Sequence, residues 1–347
     1  FIGEEGSFDF LTEYGNDILD NATVRTAGTT VRVGDDSGSS GTFFRLHDVN
    51  SHQKENVFLN TAFRTESTDI QRQFVCRLSE FSKIPGSPLS YWAPAEVRSL
   101  YESTTVFDAD NAGLADRESL GDAKQGLITG NNNRFVRKFW ENTSYDYWKP
   151  FAKGGEDAWI LPQVNLTVAW GSRGREIRRY EGSRPQNTQY FFKEALTYTY
   201  MKESGRRFGY LHPDSIFGRA GCAYIPSRNT WDVLSYSNSN LVTYLMLCQT
   251  PDRQWEVGYV SKLPWTDELE QNNKLEELSR EIVGHLLSKR QYDFTSPYYS
   301  NPVLLSVLGT ARPLSSFEHP HQGLREELEL TKPSEPAGPE NTLPELG

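Results

Sequence analysis

Long apolar runs are missing from this chain. No stretch approaches the roughly 18 consecutive apolar residues of a membrane-spanning helix, so a membrane span is excluded. Cysteine is scarce: Cys76, Cys222 and Cys248 lie far apart. An odd count argues against a disulfide framework, and three distant thiols cannot alone make a four-ligand zinc site. The six histidines are equally scattered, and a reducing cytoplasm is the simplest setting for such a chain. Methionine is nearly absent, with only Met201 and Met246. The opening FIGEEGSFDF has neither an initiator Met nor a basic stretch before an apolar one, so it does not read as a signal peptide. The chain reads as an internal or C-terminal piece of something longer. Catalytic signatures are missing too. There is no GxGxxG, no GxxxxGK[ST], no GxSxG and no HExxH. Adjacent acids such as Glu156 and Asp157 read as solvated surface, and His212 beside Pro213 as part of a turn.

What is present suits a folded globular protein. The 347 residues are 37% hydrophobic, 13% aromatic and 24% charged, a length that favours two domains over one. The formal charge of −10 disfavours a polyanionic partner until its distribution is resolved. Residues 1–123 carry 10 basic and 20 acidic side chains, residues 124–228 carry 17 and 9, and residues 229–347 carry 9 and 17. A positive middle between two acidic flanks is an electrostatic footprint for an anion. Arginine outnumbers lysine two to one, which favours bidentate contacts to phosphate or guanine.

Patterning divides the chain. Residues 1–34 read as a helix or loop and then a β-prone run from Ala22 to Val33. DDSGSSG (35–41) is a turn, and TFFRLHDV (42–49) a second strand. Residues 50–82 have loosely helical spacing, IPGSP (84–88) breaks it, and Pro94 opens a helix through 102. Residues 103–123 read as a polar linker. The basic segment then supplies short strand-like runs: NRFVRKFW, VNLTVAW, YFFKEALTYTYM, FGYLHP and CAYIP. Residues 229–249 read as a core helix. Residues 266–290 form the clearest helix, with Thr266 as cap, acids in the first turn and Lys289-Arg290 at the end. The Pro- and Glu-rich end reads as disordered.

The informative constellation lies in the basic segment. GLITGNNNRFVRKFWE (126–141) sets Thr129, Gly130, Asn131, Asn132 and Asn133 in a turn directly before Arg134. Side-chain amides and backbone N–H groups of such a turn can hold phosphate or read base edges. WKPFAKGGE (148–156) adds Lys153 beside two glycines. SRGREIRRYEGSRPQN (172–187) adds Arg173, Arg175, Arg178, Arg179 and Arg184, and Lys193 follows. Gly, Asn and Arg loops with aromatics nearby suit duplex backbone contact and groove reading. Arg178 and Arg179 equally suit the solvated face of a short helix paired with Glu176 and Glu181. Trp140, Trp148, Trp159 and Trp170 suit a core better than a base-stacking platform.

These motifs, in this order, resemble adenine-specific DNA methyltransferases of the BREX phage-defence type (PglX-like). REIRRY, RPQNTQYFFKEALTYTY, FGYLHPDSIFGRAGCAYIP and VGYVSKLPW extend the likeness, FSKIPGSPLSYWAP (81–94) lies upstream, and SKRQYDFTSPYYSNPVLL (288–305) lies downstream. The resemblance covers about residues 20–308. It implies an α/β chain in five parts. Residues 1–50 would be the last strands of a Rossmann-like methyltransferase sheet, 51–123 a connecting helical segment and 124–265 a mixed α/β target-recognition domain. Residues 266–310 would begin a helical spacer, and 311–347 a disordered acidic, Pro-rich tail. It further implies base flipping and methyl transfer to adenine N6 by the whole enzyme. Double-stranded DNA would be the partner, with other phage-defence proteins besides. S-adenosylmethionine would be bound upstream, where the (N/D)PP(Y/F) motif is expected. Neither that motif nor the Gly-rich cofactor loop is found here; Asn301-Pro302-Val303 is the nearest match. Asn131 and Asn133 stand where acids are common in the family, Ala195 where glycine is usual and Arg219 where an acid is usual. The specificity region of a single-chain restriction–modification enzyme, and a non-enzymatic DNA- or carbohydrate-binding module, are the competing readings.

Overall fold

The computed structural model describes residues 6–19, 24–34, 40–65, 70–142, 144, 146–155, 159–202, 207–250, 254–270, 272–299 and 328. The expected acidic tail except Leu328, the Asn301-Pro302-Val303 stretch and the Glu156-Asp157 pair lie outside the described residues. The chain forms two compact units, Phe1–Ser103 and Thr104–Gly347. No helix among the described residues is long and apolar enough to cross a membrane.

The first unit is built on β1 (Gly6–Gly15), β2 (Thr26–Val33), β3 (Ser40–Arg45), α1 (Lys54–Phe63), β4 (Gln73–Arg77) and α2 (Ala95–Ser99). The strands lie in the order β2-β1-β3-β4, with β1 antiparallel to β2 and parallel to β3. The segment expected as helix or loop is thus the strand β1. Register shifts between Phe8 and Phe10 and between Glu13 and Gly15 break the two-residue alternation that marks a strand in sequence. The helical spacing over 50–82 holds for α1 and then gives way to β4, which pairs antiparallel with β3. Phe43 anchors the core, stacked on Tyr91 at 4.6 Å and edge-on to Phe81 at 5.7 Å. Each such pair contributes about 0.5–1.5 kcal/mol beyond its area. The FSKIPGSPLSYWAP stretch is therefore core as well as breaker, since Phe81, Ile84, Tyr91 and Ala93 are all buried. The Tyr91 hydroxyl donates to Glu13 at 2.6 Å, and burial together with that carboxylate pushes its phenol well above the ordinary range.

The second unit begins where a linker is expected. β5 (Thr105–Val106), α3 (Ala109–Ala112), β6 (Glu118–Ser119) and β7 (Gly121–Lys124) occupy residues 105–124. Val106, Phe107, Leu120 and Ala123 are buried there among polar residues that bond internally. Asp108 is the hub. Its carboxylate accepts from the Asn111 and Ala123 backbone N–H groups, at 3.1 and 2.8 Å, and from Lys124 at 3.1 Å. Polar side chains used this way have the composition of a linker, so composition alone cannot tell the two apart.

The rest of the unit follows in order: α4 (Asn132–Phe135), β8 (Val136–Lys138), β9 (Trp148–Ala152), β10 (Leu166–Ala169), α5 (Gly171–Arg179), β11 (Ala195–Thr199), β12 (Phe208–Leu211), β13 (Ile216–Phe217), β14 (Gly221–Pro226), α6 (Thr230–Ser237), α7 (Asn240–Gln249), α8 (Val257–Val260), β15 (Pro264–Trp265), α9 (Asp267–Glu270) and α10 (Lys274–Arg290). Two four-stranded sheets, β13-β9-β10-β8 and β12-β11-β14-β7, and a three-stranded one, β15-β5-β6, carry it. All five residues of β11 are buried. Helix α6 lies on β11, β12 and β14, and α10 packs on α6. Tyr210 of β12 stacks on Trp231 of α6 at 4.7 Å, and the Arg280 guanidinium of α10 lies over the same indole at 4.8 Å. The expected core helix over 229–249 is two helices. Asn238 ends α6, and the Ser239 hydroxyl accepts from the Val242 N–H at 3.1 Å to start α7. The expected helix over 266–290 likewise divides into α9 and α10.

Candidate nucleic-acid interface

The TGNNN turn is held from both ends. Thr129 is buried and donates to Asn132 Oδ1 at 2.6 Å. Asn131 caps α4 by accepting from the Arg134 N–H at 3.1 Å, and its amide donates to the Tyr180 hydroxyl at 3.2 Å. Gly130 has φ +70°, and a Cβ there would lie 2.8 Å from Gly182 C and Ser183 N. That close approach joins the turn to the 180–184 loop. Ile128 and Arg184 exchange backbone hydrogen bonds at 3.0 and 2.9 Å. Held in this way, the turn presents Gly130, Asn132, Asn133 and Arg134 to solvent.

The arginine cluster lies next to this turn in the chain of contacts. Ser172, Arg173 and Gly174 all have left-handed backbone (φ 51°, 56° and 73°), so helical dihedrals within α5 begin at Arg175. Ile177 is fully buried and pins the segment, leaving Arg173, Arg175, Arg178 and Arg179 exposed. Arg178 lies over the buried Trp170 ring at 5.2 Å and donates from Nε to the Arg173 carbonyl at 3.0 Å. Arg134 lies over Tyr180 at 5.5 Å, tying the cluster to the turn. Among the described residues, no salt bridge engages Arg134, Arg173, Arg175, Arg178, Arg179 or Arg184. The pairing of Arg178 and Arg179 with Glu176 and Glu181 is therefore not made. Glu176 instead faces Tyr147, whose phenol is raised by burial and then by that carboxylate.

Lys153, the next candidate, lines a cleft of about 320 Å³ with Leu127, Ile128, Thr129, Gly130, Asn132, Phe151, Arg219 and Ala220. The structure thus brings Lys153 to the turn and adds Arg219, which sequence reasoning marks only as a departure from the family's acid. The signal is present in the sequence as an unexpected cation in a Gly-rich stretch, GRAG. Lys193 belongs to another neighbourhood. Its ammonium lies 5.1 Å from the ring of Tyr190, whose hydroxyl donates to Asp122 at 2.9 Å. Arg137 and Lys138 stand outside the candidate set and lie over Trp148 and Trp140, each at 5.6 Å. Trp170 is core as expected, but Trp140 and Trp159 are 59% and 42% exposed. Among the described residues, no group of three or more His, Cys, Asp or Glu side chains could hold a metal ion. The three cysteines are free and buried, and burial raises the Cys222 thiol to about 12.

No protein-family model matches the chain. In sequence it is similar to the adenine-specific methyltransferase BrxX of Escherichia coli O9:H4 (strain HS), at 26% identity over 76% of this chain. It is also similar to the adenine-specific methyltransferase PglX of Lacticaseibacillus casei (strain Zhang), at 24% identity over 70% of this chain. The resemblance to PglX-like methyltransferases of BREX systems is thereby supported by two curated relatives. The chain spans 21% of the length of each. Among solved structures, the type IIG restriction endonuclease BpuSI aligns with 79% of this chain and 38% of its own, at 12% identity and TM-score 0.38. The type IIL restriction–modification enzyme MmeI, solved in complex with DNA, aligns with 94% and 43%, at 12% identity and TM-score 0.43.

Proposed function

We propose that this chain is the DNA-recognition part of a site-specific adenine-N6 DNA methyltransferase acting in phage defence. One observation carries the reading: exposed arginines without carboxylate partners among the described residues surround an Asn-rich turn held in place by its own hydrogen bonds. Unneutralised guanidiniums beside fixed amides suit phosphate contact and base-edge reading on duplex DNA. In this reading the expected bounds shift with the fold. The Rossmann-like methyltransferase sheet expected in 1–50 extends to β4, and the recognition region expected over 124–265 takes in β5 to β7 from residue 105, which leaves less of 51–123 as a connecting segment. The helical spacer starts at 266. S-adenosylmethionine and the (N/D)PP(Y/F) motif belong to a part of the enzyme outside these 347 residues. The cleft beside the turn does not suit the methyl donor, because it offers cations to an already cationic sulfonium.

Duplex binding measured across a salt series tests the reading. A log–log slope several units negative is expected, and binding should weaken in the R178A/R179A variant. Unchanged affinity in that variant would remove the arginine cluster from the interface.

A further inference from the structure

The cleft beside the TGNNN turn contains two cations that no described carboxylate claims. Lys153 and Arg219 both line it, and no salt bridge among the described residues engages either one. They arrive from different places. Lys153 follows β9, and Arg219 lies between β13 and β14. The backbone forces the two together: Gly218 N–H donates to the Ala152 carbonyl at 2.8 Å, and Arg219 N–H donates to the Leu127 carbonyl at 3.2 Å. The pairing brings two stretches of backbone together so that both side chains line one cleft, and two cations lining one cleft favour an anion there.

The shape narrows the anion. The cleft is open, and its lining combines the buried apolar Leu127 and Phe151 with the polar Thr129, Gly130 and Asn132. A free phosphate dianion is best served by donors on all sides. A phosphodiester shares one negative charge between two non-bridging oxygens and carries apolar sugar carbons beside them, which matches a lining of two cations and apolar side chains.

We propose that this cleft is a phosphodiester clamp. Lys153 and Arg219 would grip one backbone phosphate of the DNA and set the register in which Asn133 and Arg134, on the neighbouring exposed surface, meet base edges. The clamp rests on the DNA-recognition reading above. It divides the labour: the cleft positions the duplex without reading sequence, and the turn's tip reads it.

The test uses the full chain, a panel of duplexes of differing sequence, and the variants K153Q, R219Q and K153Q/R219Q, with K153R and R219K as charge-retaining controls. The double variant should lower the salt slope by about one unit, the share of the one phosphate the pair holds, each single Gln variant by less, and all three should weaken binding to every duplex by the same factor. K153R and R219K should keep the wild-type slope. A double variant with the wild-type slope, or with an altered ranking among duplexes, overturns the clamp while leaving DNA recognition intact. Wild-type chain that binds no duplex at low salt overturns the recognition reading itself. Inorganic phosphate, added at constant ionic strength, should compete only weakly. Displacement of DNA by low millimolar phosphate would assign the cleft to a free anion and overturn the phosphodiester. Unchanged thermal melting of the Gln variants confirms that the slopes report contacts rather than unfolding.

Discussion

Asn131 does two things with one side chain: its oxygen caps α4 and its amide reaches Tyr180. N131A should therefore cost about 1 kcal/mol of stability from the lost cap. Urea unfolding reads that loss, and N131D, which keeps the capping oxygen, should recover most of it. Gly130 has positive φ, and a Cβ there would meet two backbone atoms at 2.8 Å. G130V should cost roughly 1–3 kcal/mol and lower DNA affinity with it. Asp108 is a residue-scale case with a pH signature. Burial alone would raise its carboxyl, yet hydrogen bonds from Asn111, Ala123 and Lys124 hold it below the usual carboxylate range. A lowered folded value means stability that is complete above the unfolded carboxylate range and is lost as pH falls through the folded value. D108N should flatten the fall of the urea midpoint below about pH 4, with a lower midpoint at neutrality. A D108N chain with the wild-type acid profile would show that other groups govern acid unfolding.

At the scale of elements, α5 joins packing to the proposed DNA contact in one segment. Arg178 covers Trp170 and bonds to Arg173, whereas Arg179 is exposed with no salt bridge among the described residues. R179A should weaken duplex binding and reduce the salt slope by about one unit without moving the melting temperature. R178A should reduce both, because it also strips a ring of its cover. Equal melting losses in the two variants would contradict this division. The α6–α10 contact is purely architectural. Trp231 lies between Tyr210 and Arg280, and its carbonyl accepts from Ser279 at 2.8 Å. W231A should cost about 3–5 kcal/mol in denaturant unfolding. Elements are legible where one pattern dominates. The β-branched and aromatic runs of β10, β11, β12 and β14 announce strands. In β1 the bulges erase the alternation, and in β5 to β7 internal hydrogen bonding makes buried polar residues look like linker.

For the whole molecule, net charge and local charge point in opposite directions, and under the proposed DNA-recognition reading the local charge governs binding. A chain at −10 with its surplus cations in 124–228 should bind duplex at low salt and release it steeply as salt rises, since counterion release counts contacted phosphates. A gel shift from about 50 to 200 mM salt checks this, with a slope near −0.9 for each phosphate contacted. The isolated chain should transfer no methyl group from radiolabelled S-adenosylmethionine to adenine, and incorporation would overturn the placement of catalysis elsewhere.

Sequence alone determined the charge asymmetry, the composition of the Asn-rich turn and the similarity to PglX-like methyltransferases, because each is a property of residue order. It could also nominate Lys153 and the arginines one by one. Tertiary structure decided which of them meet. Lys153 joins the turn and Lys193 goes to Tyr190. Arg219 enters from a distant part of the chain, carried by backbone pairing of Gly218 with Ala152 and of Arg219 with Leu127. Sheet register is a long-range choice made by hydrogen bonding and burial over the entire unit, and no local pattern around Arg219 encodes it.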